Sequence, residues 1–449
     1  MSAAKIALLA AVAQTISEVQ ATGELHGSGT TKASELFWRA MDIIETRTKG
    51  PTHLTYRAVG SSTGQKEFVG ASNGHAALNH FGAGDIAMSS SRYAALLEAG
   101  RMMVHMPFAL SAIGVFHSVK ASELPTSGSI HLTGCVLAKI FSRQITMWND
   151  PEIVALNPGM TAAAAIKVVH YIHGSSSTTG FTQYLSMKCP AHWPLGSGST
   201  ITWPTNTYET QGPDGVPSFI TDNTYAIGYI EASAGHEAGL SEVALQNRDG
   251  YYLDTRNADF GAMGVVSVSD GRIPSDPTAD FSNVNLYDLV GSTTWPITMI
   301  SYLYIDKDLS AMEAQTAALL QAFVNFIMGA EGQALVVNSL LVPLPAELLL
   351  YNTNTLSSLT MPAGYVPYSF EDTSTTMPEV GAGTNVISGK RNDWDELERT
   401  RHAATITTLQ EQINVLQAQL NALQACTIVC PVDANGRQLE QSFRQPARA

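Results

Sequence analysis

Three short stretches combine glycine with hydroxyl residues, and each leads directly into a helix-forming segment. His26–Thr31 (HGSGTT) precedes the run 33–44, Val59–Gly64 (VGSSTG) precedes 65–69, and Gly174–Thr179 (GSSSTT) precedes Phe181, Tyr184 and Leu185 at helical spacing. The third follows an apolar strand-like run, Ile166, Val168 and Val169. A helix start leaves backbone N–H groups without intrahelical partners and carries the positive end of the helix dipole. Small residues there let a guest approach closely, so the chemistry on offer is anion binding. One such turn is an ordinary helix cap. Three of them imply a shared cradle, with Thr30, Thr31, Ser61, Ser62, Ser175, Ser176 and Ser177 as candidate donors.

The elements that must position these turns alternate strand and helix. Leu54–Gly60 has the pattern of a strand, and Tyr93–Met103 that of a helix turning into a strand. Leu132–Phe141, Ala311–Met328 and Gly332–Leu341 have helical patterns, and Pro296–Ile305 reads as a strand. Alternation of this kind predicts an α/β fold with a mainly parallel sheet. A chain of 449 residues fits two lobes with additional segments.

Four further stretches sharpen the expectation: GDIAMSSS (Gly84–Ser91), WNDPEIVALNPG (Trp148–Gly159), YAIGYIE (Tyr225–Glu231) and TWPIT (Thr294–Thr298). With the three turns in this order, residues 24 to 350 resemble the phosphate-binding proteins of bacterial ABC phosphate importers. The resemblance implies a two-lobed type II periplasmic-binding fold with hinge crossings. It places lobe 1 at 24–107 and 240–350 and lobe 2 at 108–239, crossing near Met106-Pro107 and returning near 235–239. It also implies capture of phosphate or a related oxyanion between the lobes, with Thr31, Ser61, Ser175, Ser176 and Ser177 among the donors.

Three charged members of that family's site fall on other residue types here. The aspartate that accepts the ligand's proton aligns with Ser90, the ligand-contacting arginine with Tyr171, and the aspartate orienting the arginine with His173. A charged hydrogen bond contributes roughly 1.5–3 kcal/mol, so loss of the arginine alone weakens binding about ten- to a hundredfold. The expectation is a weakened or retuned oxyanion site. Lys32, Arg92 and the histidines His170 and His173 are the candidate compensating cations. The alternative is a structural or assembly subunit that keeps the fold around a vestigial site.

Composition narrows the remaining classes. The net charge of −14, without a Lys/Arg-rich run, argues against nucleic acid and anionic membrane surfaces as partners. It also makes any anion site depend on local donors. No GxxxxGK[ST] or HExxH pattern is present, so neither an enzyme nor a cofactor is expected. Four cysteines, Cys135, Cys189, Cys426 and Cys430, allow two disulfides in three pairings. No His or Cys pair stands near Cys426 and Cys430 to complete a zinc site, so a local disulfide or a bridge between chains is expected. At the amino terminus, 1–23, an apolar run from Ile6 to Ala13 fits a secretory signal with cleavage at Ala13 or Ala21. It fits an amphipathic helix through Ile6, Leu9, Val12 and Ile16 equally well. No apolar run elsewhere reaches the ~18 residues of a membrane span. A secreted or periplasmic location is expected.

Beyond residue 350 the resemblance ends. Residues 351–392 are rich in Thr, Ser, Pro and Gly and suit a linker or a surface-wrapping arm. Within 393–425, Ile406, Leu409, Ile413, Leu416, Leu420 and Leu423 are spaced 3-4-3-4-3, with isoleucine or leucine at a, leucine at d and mostly glutamine at e and g. That pattern leans toward a two-stranded coiled coil. The stripe must dock on the chain's own lobes or support self-association in a larger assembly, followed by a cysteine-containing tail, 426–449.

Overall fold

The computed structural model describes residues 23–70, 74, 79–172, 174–212, 214–374 and 383–425, the last five of these for backbone only. The possible signal segment, His173, and the Cys426/Cys430 pair therefore lie outside the described residues. The chain divides into two units, 1–390 and 391–449, each described by itself below.

The strands of the first unit, in chain order, begin with β1 (Gly23–Gly29), β2 (Thr52–Ala58), β3 (Phe81–Gly84), β4 (Met103–His117) and β5 (His131–Leu132). They continue with β6 (Lys167–Tyr171), β7 (Tyr208–Thr210), β8 (Ala226–Glu231), β9 (Ser241–Glu242) and β10 (Ala244–Gln246). The last are β11 (Tyr252–Leu253), β12 (Leu286–Tyr287), β13 (Ile297–Asp306), β14 (Ser369–Glu371) and β15 (Val386–Ser388). One ten-stranded sheet runs β2-β1-β3-β13-β4-β8-β6-β7, with β12 added to β13 and β9 to β4. β1 pairs in parallel with β2 and β3, and β6 in parallel with β7 and β8. These are the two parallel halves of a two-lobed periplasmic-binding fold, and helices cover them.

β4 joins the halves. Every one of its 15 residues is buried, as expected of a central strand covered on both faces. Its first part, Met103–Ala112, pairs antiparallel with β13, and its last part, Ile113–His117, with β8. The crossing therefore falls at Ala112/Ile113, later than the expected Met106-Pro107. Pro107 instead marks a shift in register opposite Ser301/Tyr302, because proline has no N–H for the ladder. The return at 235–239 is also displaced. β9 still pairs with β4, and β10 with β5, so the second half keeps the chain past residue 239. The helix Phe260–Ser269 is back on the first half, where Gly264 lies against Pro345 close enough to exclude a side chain.

The core of the first half stacks Phe37, Phe81, Phe108 and Phe323, with ring centroids 5.0–6.3 Å apart around Phe37. Burial of each such side chain contributes about 1.5–3 kcal/mol. Of the two readings of 351–392, the wrapping arm is the one observed over the described part. Leu356, Leu359, Tyr368 and Ile387 bury into this core, and Leu309 and Thr360 exchange backbone contacts through Leu309 N–H to Thr360 O at 2.8 Å. β14 and β15 close the arm as a parallel pair. In the second half a disulfide joins Cys135, at the start of the helix Gly134–Phe141, to Cys189 after the helix Ser176–Lys188. Among the described residues no single helix is long and apolar enough to cross a membrane.

The second unit contains the helix Trp394–Ala425, 32 residues long. Ile406, Leu409, Ile413, Leu416 and Leu420 are all about half or more exposed, at 63, 52, 52, 62 and 49%. The a/d seam of this helix is exposed at these five positions.

Two buried histidines on β4 set the response to acid. His105 accepts from Met88 N–H through Nε2 at 3.0 Å and stacks on Phe281 at 4.5 Å. Burial lowers its pKa to about 3, against a small opposing pull from Asp280. Burial lowers His117 to about 4. Both folded values lie below 6.5, so the unfolded chain takes up protons first as pH falls. Stability is full above 6.5 and is lost on the way down. Denaturant unfolding is expected to give about 3 kcal/mol less stability at about pH 5 than at about pH 7, and His105→Leu should remove part of that slope.

Candidate functional site

The first two turns are locked together by backbone. β1 ends at Gly29, whose φ is +147° and where a Cβ would meet Ala83 O at 1.9 Å. Gly29 O accepts from both Val59 N–H (2.9 Å) and Gly60 N–H (2.8 Å). A Cβ on Gly64, in the helix Ser61–Val69, would lie 2.3 Å from Gly29 Cα. Only glycine permits that approach. The third turn comes from the other half. There Ser175 caps the helix Ser176–Lys188 and accepts from Ser177 N–H at 3.2 Å.

All three turns converge on one residue, Asp85, after β3: the first and third bond its carboxylate and the second its backbone N–H. Thr30 Oγ1 donates to Asp85 Oδ2 at 2.6 Å, and Ser176 Oγ donates to the same oxygen at 3.3 Å from across the cleft. Asp85 N–H donates to Ser61 Oγ at 3.1 Å, and Ser301 Oγ, from β13, donates to Asp85 Oδ1 at 3.0 Å. A second carboxylate, Glu231 at the end of β8, accepts from Ser177 Oγ at 2.6 Å and pairs with Lys32 Nζ at 3.3 Å. Lys32 follows the first turn, so this ion pair also spans the two halves.

The electrostatics follow from burial around a single ammonium. Asp85 is 5% exposed, and its pKa is raised by desolvation, partly offset by Lys32 and the Thr30 hydroxyl. Burial also pushes Glu231 upward, yet Lys32, the Ser177 hydroxyl and a backbone N–H together outweigh it and hold the carboxyl below its ordinary range. Three helix starts, the third capped by Ser175, five hydroxyls, one cation and two carboxylates make up the cluster, and with two carboxylates present the oxyanion that suits it is one that brings a proton.

Among the expected site residues, Thr30, Ser61, Ser176, Ser177 and Lys32 are brought together. Ser175 serves its own helix. Thr31 is exposed, and its carbonyl accepts from Ser34 Oγ at 2.8 Å. Ser62 and Arg92 meet on the flank: Arg92 Nη2 donates to Ser62 Oγ at 3.1 Å and Nη1 to Gln65 Oε1 at 2.7 Å. Arg92 therefore serves the second helix and not the carboxylates. Ser90 donates to Asp280 at 2.8 Å and lies apart from the convergence. The acid at which the turns meet is Asp85, five residues before Ser90. Tyr171, half-buried at the end of β6, has its hydroxyl pKa raised by burial and by nearby Glu231. His170 is held away, with Nε2 at 2.9 Å from Thr207 Oγ1 and its ring stacked on Trp203.

Asp85, Glu231 and Ser301 were not among the residues singled out. Asp85 sits within GDIAMSSS and Glu231 closes YAIGYIE, so a strand end inside a matched stretch was the available signal. Ser301 carries no local signal; its place follows from the pairing of β13 with β4.

A sequence model described as a PBP superfamily domain matches residues 15–331, more than half of the chain. The chain belongs to the PBP superfamily. Within it, the relatives are PstS-like. A phosphate-binding protein PstS of Haemophilus influenzae is 30% identical over 315 residues, covering 70% of this chain and 85% of the relative. One from Pasteurella multocida is 28% identical over 347 residues, covering 76% and 92%. Two solved structures share the fold. A phosphate-binding protein from Stenotrophomonas maltophilia has a TM-score of 0.56 at 16% identity, covering 76% of this chain and 99% of that one. The periplasmic phosphate-binding protein PfluDING gives 0.53 at 18%, covering 76% and 100%. This PBP superfamily chain is a PstS-like solute-binding protein and not an enzyme.

The Lys32–Glu231 pair is mostly buried, with side-chain exposures of 17 and 20%. Removing one partner leaves the other charge uncompensated. Lys32→Ala is expected to cost about 2–3 kcal/mol in denaturant unfolding. The Glu231 contribution is present above its unfolded value of 4.5 and is lost as pH falls through the lower folded value. The gap between wild type and Lys32→Ala should therefore narrow below that pH.

Proposed function

We propose that the interlobe cleft binds phosphate as a protonated oxyanion, through a retuned form of the family's site. The observation that carries this reading is the buried Asp85 carboxylate, which accepts from the first and third turns while the second turn holds its backbone N–H. In this reading Asp85 Oδ1, which accepts from Ser301, also accepts the ligand's P–O–H proton. The helix starts at residues 34, 61 and 176 and the hydroxyls of Thr30, Ser61, Ser176 and Ser177 hold the other oxygens. Lys32 supplies the positive charge that the arginine position, Tyr171, does not. A lysine offers one point charge in place of a bidentate fork, so weaker binding than with arginine is part of the proposal. The names of the relatives, phosphate-binding protein PstS, support phosphate over other oxyanions.

Calorimetry on the full chain tests this. Phosphate is expected to release binding heat, and sulfate, which offers no proton to Asp85, to bind about ten- to a hundredfold more weakly. Asp85→Asn should reduce or reverse that preference, because the amide can donate to sulfate. Absence of phosphate binding at millimolar ligand would overturn the reading.

We also propose a secreted or periplasmic location, supported by the Cys135–Cys189 disulfide, which persists in oxidising compartments. The uncovered seam of the helix Trp394–Ala425 supports a further role in assembly, by pairing with the same helix of a second copy. Leucine at d with isoleucine at two of the three a positions favours two strands, and glutamine at e and g imposes no charge repulsion between identical copies. Light scattering at micromolar concentration is expected to give a dimer, and Ile413→Lys with Leu416→Lys a monomer. A monomeric wild type would refute this role.

A further inference from the structure

Beside Asp85 the cleft retains open volume that a bare tetrahedral anion on the three turns does not use. A cavity of about 160 Å³ is lined by Asp85, Met88, Thr179, Gln183, Ser282 and Met299, together with residues of β12 and β13. Asp85 belongs both to this lining and to the convergence of the turns. An apolar cavity of ~150 Å³ accommodates a benzene ring, so this one has room for a substituent of about six non-hydrogen atoms.

Its walls are mixed. Met88 and Met299 are buried and present thioether and methylene surface. Opposite them, Tyr287 Oη donates to Gln183 Oε1 at 2.9 Å, which orients the amide and leaves its NH₂ end as a donor. Ser282 stands half-buried, with its backbone N–H fixed on Asp280 Oδ1 at 2.8 Å. A short chain carrying one or two hydroxyls suits such a surface, with methylenes on the methionines and oxygens on Gln183 and Ser282.

We propose that the cleft takes a small monosubstituted phosphoryl ligand, a phosphate monoester or a phosphonate, with its PO₃ group on the three turns and its organic group past Asp85 in this cavity. The proposal rests on the reading of the cleft as a phosphoryl site. It carries a proton requirement. Monohydrogen phosphate brings a proton to Asp85, whereas a monosubstituted phosphoryl dianion has none. One proton from solvent must therefore come to lie between Asp85 and the ligand on binding. Burial of Asp85, which already favours its protonated form, eases that uptake.

The test is calorimetry of the full chain with inorganic phosphate, sn-glycerol 3-phosphate and propylphosphonate, in buffers of different ionisation enthalpy. The pH is held at about 9, above the second pKa of the ester (about 6) and of the phosphonate (about 8). At least one substituted ligand is expected to bind as tightly as inorganic phosphate or more tightly, with uptake of about one proton. The ester and phosphonate arms identify which source of the group the site accepts. Ser282→Trp, which fills the cavity from its half-exposed rim, should weaken the substituted ligand roughly tenfold or more while leaving inorganic phosphate within about twofold. Unchanged inorganic phosphate binding shows that the variant is folded. Inorganic phosphate preferred by more than about tenfold in the wild type, or Ser282→Trp affecting all ligands alike, would overturn the cavity proposal alone. No binding of any of the three would overturn it together with the phosphoryl reading.

Discussion

One ammonium group placed among two buried carboxylates is the constraint on which the cleft depends. Asp85 ends a strand of the first half, Glu231 ends a strand of the second, and Lys32 lies in reach of both. Burying a carboxylate is costly unless it is paired and hydrogen-bonded. Here the donors come from both halves: Thr30 and Ser301 from one, Ser176 and Ser177 from the other. Satisfying the two charges therefore requires the halves to come together. The same groups that complete the site hold the lobes in register.

That coupling gives the hydroxyl turns a second meaning. Hydroxyls are small, neutral and able both to donate and to accept. Thr30 Oγ1 accepts from Lys32 N–H at 3.2 Å while donating to Asp85. Such a group can turn part of its hydrogen bonding toward a guest without stranding a charge. A cradle of this sort suits a chain with a net charge of −14, because the long-range field opposes any anion and attraction has to be local. Tyr171 at the arginine position is consistent with the same economy of charge. It adds bulk and a polar tip beside Glu231 but no cation.

The fold supports this arrangement by being rigid where the turns meet. β4 is buried along its whole length and carries pairing partners from both halves, so it ties the two halves of the sheet together. Gly29 and Gly64 let backbone meet backbone, which fixes the first two turns without side chains between them. The wrapping arm closes the far side of the first half, burying Leu356, Leu359, Tyr368 and Ile387. The exposed seam of the helix Trp394–Ala425 is of another kind, since its apolar face repeats regularly along the helix.

Local pattern was enough to determine the three hydroxyl turns, the alternation of strand and helix, the apolar stripe of the last helix and the family likeness, because each depends on neighbours in sequence. Glycine before a helix and leucine every three or four residues carry their physical reason with them. GDIAMSSS contains both an acid and a serine run, so its local pattern does not say which of them meets the turns. Only the pairing of β3 with β1 and β13 decides that Asp85, and not Ser90, is aimed at Thr30. The crossing point was displaced for a like reason, since Pro107 suggests a break locally while burial on both faces keeps β4 continuous. Ser301 and the Lys32–Glu231 pair were invisible beforehand: they lie 216 residues from Asp85 and 199 residues apart respectively, and nothing short of the folded sheet brings them together.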